Sequence, residues 1–312
     1  MQNKLAVTSS PHLHSGVTTR RLMLDVILAL IPAGVMGIVY YGTSAAILIA
    51  ISVATAVLTE FAMCKVFKVK NSIGDLSAVV TGLLLAYNLP AGAPWWIAVI
   101  GSFLAIALVK MLFGGLGANF MNPALTARAI LFISWSTLMS TYPVAGNVDT
   151  VATATPLSQL ANGGLTNTMM ELFTGHNIGG VIGEVCKIAI LAGGIYLLVR
   201  GVITWHIPVC FIGTVFICYL IQGGAETALA QVLSGGLLLG AFFMATDYVT
   251  SPVTSLGKIV FGIGCGIFLF VIRSFCSYVE GCSFAILFMN VCTPLIDRLT
   301  AQKPFGEVKK HG

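Results

Sequence analysis

Long apolar segments recur along the whole chain and restrict it to one class of protein. The 312 residues are 57% hydrophobic and only 9% charged, whereas a soluble domain usually carries about 25% charged residues. A helix needs about 20 apolar residues to cross the roughly 30 Å of hydrocarbon in a bilayer. A membrane β-barrel would show shorter segments of alternating polarity, and this sequence has none. It therefore predicts an all-α polytopic membrane protein with about ten transmembrane helices. The predicted spans are 22–41, 43–64, 73–90, 94–113, 122–141, 180–199, 201–221, 229–247, 255–275 and 282–298.

The basic residues indicate the orientation of the spans. Basic clusters at 20–21 and 65–70 flank the first two spans, and cytoplasmic loops are enriched in Lys and Arg. With these clusters inside, thirteen of the sixteen basic residues lie on the cytoplasmic side. We therefore expect a cytoplasmic segment 1–21, a membrane domain 22–298 and a cytoplasmic tail 299–312.

Internal similarities predict two related halves. The stretch "GANFMNPALTARAI" in the fifth span resembles "SFAILFMNVCTPLIDR" in the tenth, and "SAVVTGLLLAYNLP" in the third resembles "SGGLLLGAFFMATD" in the eighth. Halves of five spans each, about 22–141 and 180–298, have opposite orientations because five is odd. They would be joined by an outer loop, 142–179. Inverted repeats often hold a site near the membrane midplane, lined by interrupted helices.

Three stretches predict interrupted helices: 113–125, 244–255 and 288–297, each of which combines glycine, proline or asparagine with apolar neighbours. Exposed backbone is costly in lipid, so such stretches line a cavity or pack against protein. Close packing of small residues is the alternative explanation. We hypothesise that an ion conduit follows the first two breaks, at Asn119, Asn122, Asp247 and Thr250.

Charged residues within or near the spans have ordinary and functional interpretations. Lys110 lies near a predicted span end, where a lysine can extend to the interface. Asp25 follows Arg21 at the spacing of a helical ion pair. Arg128 and Arg273 lie deeper, so we expect each to bind an anionic group or a buried carboxylate.

The chain offers no recognisable metal or catalytic motif. Its eight cysteines include no CxxC pair, so we expect no metal or iron–sulfur site confined to this subunit. The six-residue spacing of Cys276 and Cys282 does not by itself predict a disulfide. The sequence also lacks a P-loop, and we expect no catalytic residue in this chain and no nucleic-acid partner.

An outer loop contains a polar segment, "VDTVATATPL" (148–157), with several hydroxyl side chains and a lone aspartate. A cluster of hydroxyls in a loop is usually a solvated turn. The alternative is that one hydroxyl is a covalent attachment point, and composition alone does not decide between the two.

A family resemblance gives this loop a specific interpretation. The chain resembles, over essentially its whole length, the RnfD component of the Rnf complex, an ion-translocating ferredoxin:NAD+ oxidoreductase, and the related NqrB component of the Na+-translocating NADH:quinone reductase. The stretches that carry the resemblance are 22–33, 77–90, 112–124, 149–157, 240–252 and 280–297.

The resemblance implies a membrane subunit of a redox-driven ion pump in a bacterial or archaeal cytoplasmic membrane. Such a subunit relays electrons between ferredoxin and NAD+ and couples them to Na+ or H+ translocation. The implied partners are Rnf subunits A, B, C, E and G.

The resemblance also implies a covalent flavin. In the family, FMN is joined through its phosphate to a threonine in a motif like D-x-x-[ST]-G-A-T. Here Asp149 corresponds to the aspartate, Ala154 precedes the acceptor, and Thr155 is the acceptor, which would make the chain a phosphothreonine-linked flavoprotein. Ala152 and Thr153 stand where the family usually has Ser/Thr and Gly. A dedicated flavin transferase makes the attachment on the outer side, and relatives also hold a noncovalent riboflavin.

Two other interpretations stay open. The NqrB component of the quinone reductase has a longer region before its first span than the roughly twenty residues here, which favours the Rnf interpretation. A flavin-free channel or secondary transporter with inverted repeats would explain the helix breaks but not the threonine-rich loop.

Overall fold

The structure is a computed structural model that describes residues 17–69, 71–144, 154–162, 164, 166–276 and 280–301. The helices in these residues are α1 (Thr19–Val66), α2 (Ser77–Tyr87), α3 (Trp95–Phe103), α4 (Pro123–Ser134), α5 (Ser136–Ser140), α6 (Pro156–Ala161), α7 (Met169–Thr174), α8 (Lys187–Val199), α9 (His206–Leu233), α10 (Leu237–Leu239), α11 (Ser255–Phe275) and α12 (Cys282–Thr300). A short 3-10 helix covers Ile73–Asp75, and π-helical turns continue α3 over Leu104–Met111 and α10 over Gly240–Met244.

This architecture confirms the all-α fold class. Within the described residues, four helices are long and apolar enough to cross a membrane, namely α1, α9, α11 and α12, and shorter apolar helices accompany them. The β-structure within the described residues is limited to two isolated bridges. The number of ten spans stays a prediction.

A glycine divides α1 at the boundary between the first two predicted spans. Gly42 has a φ of 66° and a non-helical ψ of −148°, a conformation that glycine adopts at little cost because it has no Cβ. The 48 residues of α1 therefore form two apolar helical segments joined at Gly42.

Small residues let α1 pack closely against its neighbours. A Cβ added at Gly193 of α8 would overlap the carbonyl of Ala29 in α1. A Cβ at Gly82 of α2 would lie 2.9 Å from the Cα of Val53, also in α1. Close backbone approach of this kind is the usual way that membrane helices gain packing energy.

Two of the three predicted helix interruptions are present. Non-helical segments separate Met111 from α4 and Met244 from α11. The prediction of a break at 288–297 is wrong, because α12 continues through Pro294. The hydroxyl of Thr293 lies one residue before this proline and donates to the carbonyl of Met289 at 3.1 Å.

Hydrogen bonds join segments that the sequence predicts on the same side of the membrane. At one end, the amide of Val253 donates to the carboxylate of Asp297 at 3.0 Å. At the other end, the amide of Ile182 donates to the carbonyl of Leu89 at 3.1 Å. The first pair lies on the predicted cytoplasmic side and the second on the predicted outer side.

Glycine-to-alanine changes should separate packing from helix propensity. We expect Gly193→Ala to lower the free energy of unfolding by about 1–3 kcal/mol, because the new methyl must displace the α1 backbone. Gly213→Ala in α9 is the matched control. A Cβ there meets open space, so the change should be neutral or stabilising by up to about 1 kcal/mol. Thermal unfolding in detergent measures both, and equal effects would contradict the packing argument.

Candidate functional site

The predicted flavin acceptor caps a short helix. Thr155 is the N-cap of α6, and its Oγ1 accepts from the amide of Ser158 at 3.3 Å. Threonine suits an N-cap, and proline suits the next position, which Pro156 occupies. Thr155 is buried and Ala154 is exposed. Asp149 lies outside the described residues.

Thr155 borders a small pocket between α6, the 178–187 segment and the junction of α9 with α10. Leu157 anchors α6 there and is buried against Gly235. The empty volume of the pocket, including its mouth, is about 330 Å³. Its polar lining consists of Thr155, Glu184, Lys187, Ser234 and Glu280.

Lys187 joins two walls of this pocket. Its ammonium group donates to the carbonyl of Glu184 and to the carbonyl of Gly235, the latter at 2.9 Å. Gly235 has a φ of 67° and lies in the non-helical segment between α9 and α10. The lysine therefore satisfies a backbone carbonyl that the interrupted helix leaves without an intrahelical partner.

Arg273 holds the same interruption from the other side. Its guanidinium donates to the carbonyl of Gln231 at 2.7 Å and to the carbonyl of Ser234 at 3.1 Å. A cation at the C-terminal end of a helix is favourable because carbonyls and the helix dipole meet it there. We expected an anionic partner for Arg273, but its hydrogen bonds within the described residues go to carbonyls and to the Gln231 amide oxygen.

Arg128 has the carboxylate partner that the sequence predicts. It donates to Oε2 of Glu280 at 2.7 Å, and to Oδ1 of Asn88 and Oγ of Ser283 at 2.9 Å each. Tyr142 lies nearby, and burial together with the Glu280 carboxylate raises the pKa of its phenol above the usual range. The cation is thus buried among polar groups from several elements.

A second, larger cavity lies toward the predicted cytoplasmic side. Its walls are mostly apolar, and its empty volume, including the opening, is about 880 Å³. Three of the residues that we predicted for an ion conduit line it, namely Asn119, Asn122 and Asp247. The fourth, Thr250, donates to Oδ2 of Asp247 at 3.2 Å. The structure therefore brings the four predicted residues together.

Asn122 has a structural task at this cavity. Its Oδ1 accepts from the amides of Ala124 and Leu125 and so caps α4. Its Nδ2 donates to the carbonyl of Met244 at 3.2 Å. The Asn122 side chain therefore links the two predicted helix interruptions, 113–125 and 244–255, to each other.

Lys110 is buried, contrary to our expectation from the sequence. We expected it to extend to the interface, but it is 2% exposed and donates to Oε1 of Glu60 at 2.8 Å and to Oγ of Ser77 at 2.7 Å. Sequence reasoning overlooked Glu60, although a single carboxylate inside the second apolar segment was the signal. Lys110 also lines the large cavity, so a buried ion pair lies in its wall.

Asp25 has different partners from the one that the sequence suggested. The sequence suggested a helical pair with Arg21, but Asp25 accepts from Arg200 at 3.3 Å and from the phenol of Tyr196 at 3.0 Å. These partners tie the start of α1 to the end of α8.

Possible metal ligands are dispersed in the part of the chain that the structure describes. It contains no group of three His, Cys, Asp or Glu side chains close enough to share a metal ion. The eight cysteines are free thiols, Cys276 and Cys282 included.

Comparison with known proteins identifies the family. The model of the NQR2, RnfD, RnfE family matches residues 6–306. The chain belongs to this family.

Curated members of the family share high identity over nearly their whole length. The chain is 48% identical to the D component of the Na(+)-translocating ferredoxin:NAD(+) oxidoreductase complex of Acetobacterium woodii, covering 98% of this chain and 96% of the relative. It is 40% identical to the D component of the proton-translocating ferredoxin:NAD(+) oxidoreductase complex of Clostridium ljungdahlii, covering 98% and 97%. It is also 35% identical to the D component of the ion-translocating oxidoreductase complex of Haemophilus influenzae, covering 96% and 97%.

Removing the cation that pairs with a buried carboxylate should be far more damaging than removing an exposed cation. We expect Arg128→Met to lower the free energy of unfolding by about 3–5 kcal/mol, because it leaves the Glu280 carboxylate buried without a cation. Arg298→Gln is the control, since that arginine is exposed and has no ion pair within the described residues, and such surface changes usually alter stability by about 0.5 kcal/mol or less. Denaturant unfolding in detergent measures both. Similar losses would contradict the assigned role of Arg128.

Proposed function

We propose that this chain is the flavin-carrying membrane subunit of an ion-translocating ferredoxin:NAD+ oxidoreductase. Its relatives are named as the D component of such complexes, which favours this function over the related quinone reductase. The observation that carries the proposal is the position of Thr155. The threonine that matches the family's attachment motif borders a pocket with a buried cationic side chain, Lys187.

We propose that Thr155 carries FMN through a phosphodiester. A flavin transferase that uses FAD would form the Thr155 Oγ1–phosphorus bond and break the pyrophosphate bond, with AMP as the leaving group. The exposed Ala154 and the preceding Asp149 would belong to the segment that the transferase recognises. Bound flavin supplies electron transfer, while the protein supplies binding, orientation and electrostatics.

The pocket beside Thr155 offers two donors to a phosphate group, and the carboxylates of Glu184 and Glu280 line it as well. Lys187 and the hydroxyl of Ser234 line the same pocket, and both are donors suited to phosphate oxygens. The pocket is small, so the isoalloxazine ring would lie outside it. Covalent attachment would then hold the ring at the outer end of the molecule.

We propose that the larger cavity holds the noncovalent riboflavin. Its walls are apolar with a few polar side chains among them, which is the usual composition of a cofactor site. The polar groups in its wall include Lys110, Asn119 and Asp247, which could face the polar edge of a flavin. The same region stays our prediction for the ion path, with Thr250 supporting Asp247.

The proposed topology places both termini in the cytoplasm and Thr155 on the outer side. The uneven distribution of basic residues supports it, as do the Val253–Asp297 and Ile182–Leu89 hydrogen bonds, each of which joins segments predicted on one side. Ten spans in two inverted halves are supported by two short helices, α2 and α10. These are followed by Asn88 and Met244, whose side chains approach to 3.7 Å between Nδ2 and Sδ, as interrupted helices of inverted repeats would.

In the proposed complex, ferredoxin and NAD+ react at partner subunits. We propose Rnf subunits A, B, C, E and G as the partners of this chain, and a flavin transferase as its modifying enzyme. The exposed apolar faces of its long helices are available to lipid and to these partners.

Covalent flavin can be tested directly on the denatured chain. We expect a fluorescent band when the chain is produced with the flavin transferase, and a dark band for Thr155→Val. Thr153→Val is the matched control and should stay fluorescent. A dark wild-type band would contradict the proposal and favour a flavin-free channel or transporter. Fluorescence that persists in Thr155→Val but is lost in Thr153→Val would move the acceptor.

The cavity's two proposed roles can be separated with one substitution. Asp247→Asn removes a negative charge from the cavity wall at nearly constant size. If the carboxylate binds riboflavin, acid-extractable riboflavin should fall several-fold in the purified complex. If it belongs to the ion path, riboflavin should stay and ion transport per electron should fall. Unchanged riboflavin and unchanged coupling would contradict both roles, and Lys258→Met provides a control outside the cavity lining.

A further inference from the structure

The acceptor threonine is buried, and its hydroxyl is already engaged. Thr155 is 8% exposed. Its Oγ1 accepts from the amide of Ser158 at 3.3 Å and donates to the hydroxyl of the same residue at 3.4 Å. A group-transfer reaction needs the attacking oxygen within about 3–3.5 Å of the phosphorus, with the reacting orbitals aligned. The active site of a second protein therefore cannot close around Thr155 while α6 keeps this position.

Apolar side chains hold α6 against the rest of the molecule. Leu157 is buried and lies against Gly235, in the non-helical segment between α9 and α10. A Cβ added to Gly235 would lie 2.8 Å from Cδ1 of Leu157 and 3.2 Å from Nη2 of Arg273, so the glycine makes room for the leucine. Pro156 is buried as well. We call the contact between Leu157 and Gly235 the Leu157 seat.

The hydrogen bonds of α6 are local. The side chain of Gln159 donates to the carbonyl of Ala154 and accepts from Thr166, and the other bonds of this segment within the described residues join residues 155–164 to one another. No ion pair in the same part of the chain includes a residue of α6. A helix this short has little stability of its own. Release of α6 therefore costs mainly the burial of its apolar side chains, and segments held by few buried contacts open most readily.

We propose that the flavin transferase acts on α6 in a released state, separated from Gly235, and that the Leu157 seat controls how often this state is reached. The inference deepens the proposed function and rests on it, because it requires flavin attachment at Thr155. In the reaction, the Oγ1–hydrogen bond and the pyrophosphate bond of FAD break, the Oγ1–phosphorus bond forms, and AMP leaves with the proton. Leu157 and Gly235 act through the position of the acceptor and take no part in the chemistry.

This arrangement makes a kinetic prediction with a definite sign. When release is a rapid equilibrium, the observed rate is the rate of the released state multiplied by the fraction of molecules released. A change that weakens the seat raises this fraction and accelerates attachment. If the transferase instead bound α6 in its seated position, a displaced α6 would be a poorer substrate, and the same change would slow attachment.

The initial rate of flavin attachment tests the inference. The full chain would be purified in detergent from cells that lack the transferase, and then mixed with transferase and FAD at a chain concentration well below saturation. Covalent flavin fluorescence of the denatured band gives the rate. Leu157→Ala removes most of the buried leucine side chain, so we expect attachment to become about tenfold faster.

Gly235→Ala weakens the seat from the other side and leaves the acceptor segment unchanged. The new methyl would overlap the end of Leu157, and overpacking of this kind is destabilising, so we expect attachment at least about threefold faster. Leu256→Ala is the matched control, because it shortens an exposed leucine in α11 and should leave the rate unchanged. Thermal unfolding in the same detergent shows whether each variant is folded.

The outcomes separate this inference from the proposed function. Unchanged or slower attachment in folded Gly235→Ala would overturn the inference, while the wild type still takes up flavin. If Leu157→Ala alone is slower, the transferase reads Leu157 directly, and Gly235→Ala decides. If Gly235→Ala does not fold, Leu157→Ala decides: faster attachment supports the seat, and an unchanged or slower rate overturns it. Absence of covalent flavin from the wild type would overturn the proposed function itself.

Discussion

The buried arginine in α4 is the interaction on which the rest of the arrangement depends. Arg128 belongs to the first half of the chain and binds Glu280 and Ser283 from the second. It also binds Asn88 at the end of α2. A guanidinium in an apolar interior is tolerated only when it is fully paired. The requirement to pair it fixes where α2, α4 and the start of α12 meet, and hence the positions of both candidate sites.

Polar contacts run from the outer pocket toward the inner cavity through this junction. Glu280 lines the outer pocket and holds Arg128, which holds Asn88. The amide of Asn88 contacts the sulfur of Met244, whose carbonyl accepts from Asn122 in the wall of the inner cavity. The two proposed flavin sites thus lie at opposite ends of one connected set of side chains, which gives a physical route by which charge at one site can influence the other.

The sequence predicted the all-α fold class and two of the three helix interruptions, because long apolar runs and clusters of glycine, asparagine and proline have strong local signatures. It also identified Arg128 as deeply buried. It failed where the outcome depends on a partner distant in the chain. The pairing of Lys110 with Glu60 and of Asp25 with Arg200 depends on how α1 packs, which local spacing does not encode. The contact of Leu157 with Gly235 was equally invisible, since these residues lie far apart in the chain.

The most direct test is the intact mass of the protein purified from cells that contain the flavin transferase, followed by peptide mapping. We expect a mass increase equal to FMN less one water, located on the peptide that contains Thr155. An unmodified mass, or an adduct on a different peptide, would contradict the central claim that this threonine carries the flavin.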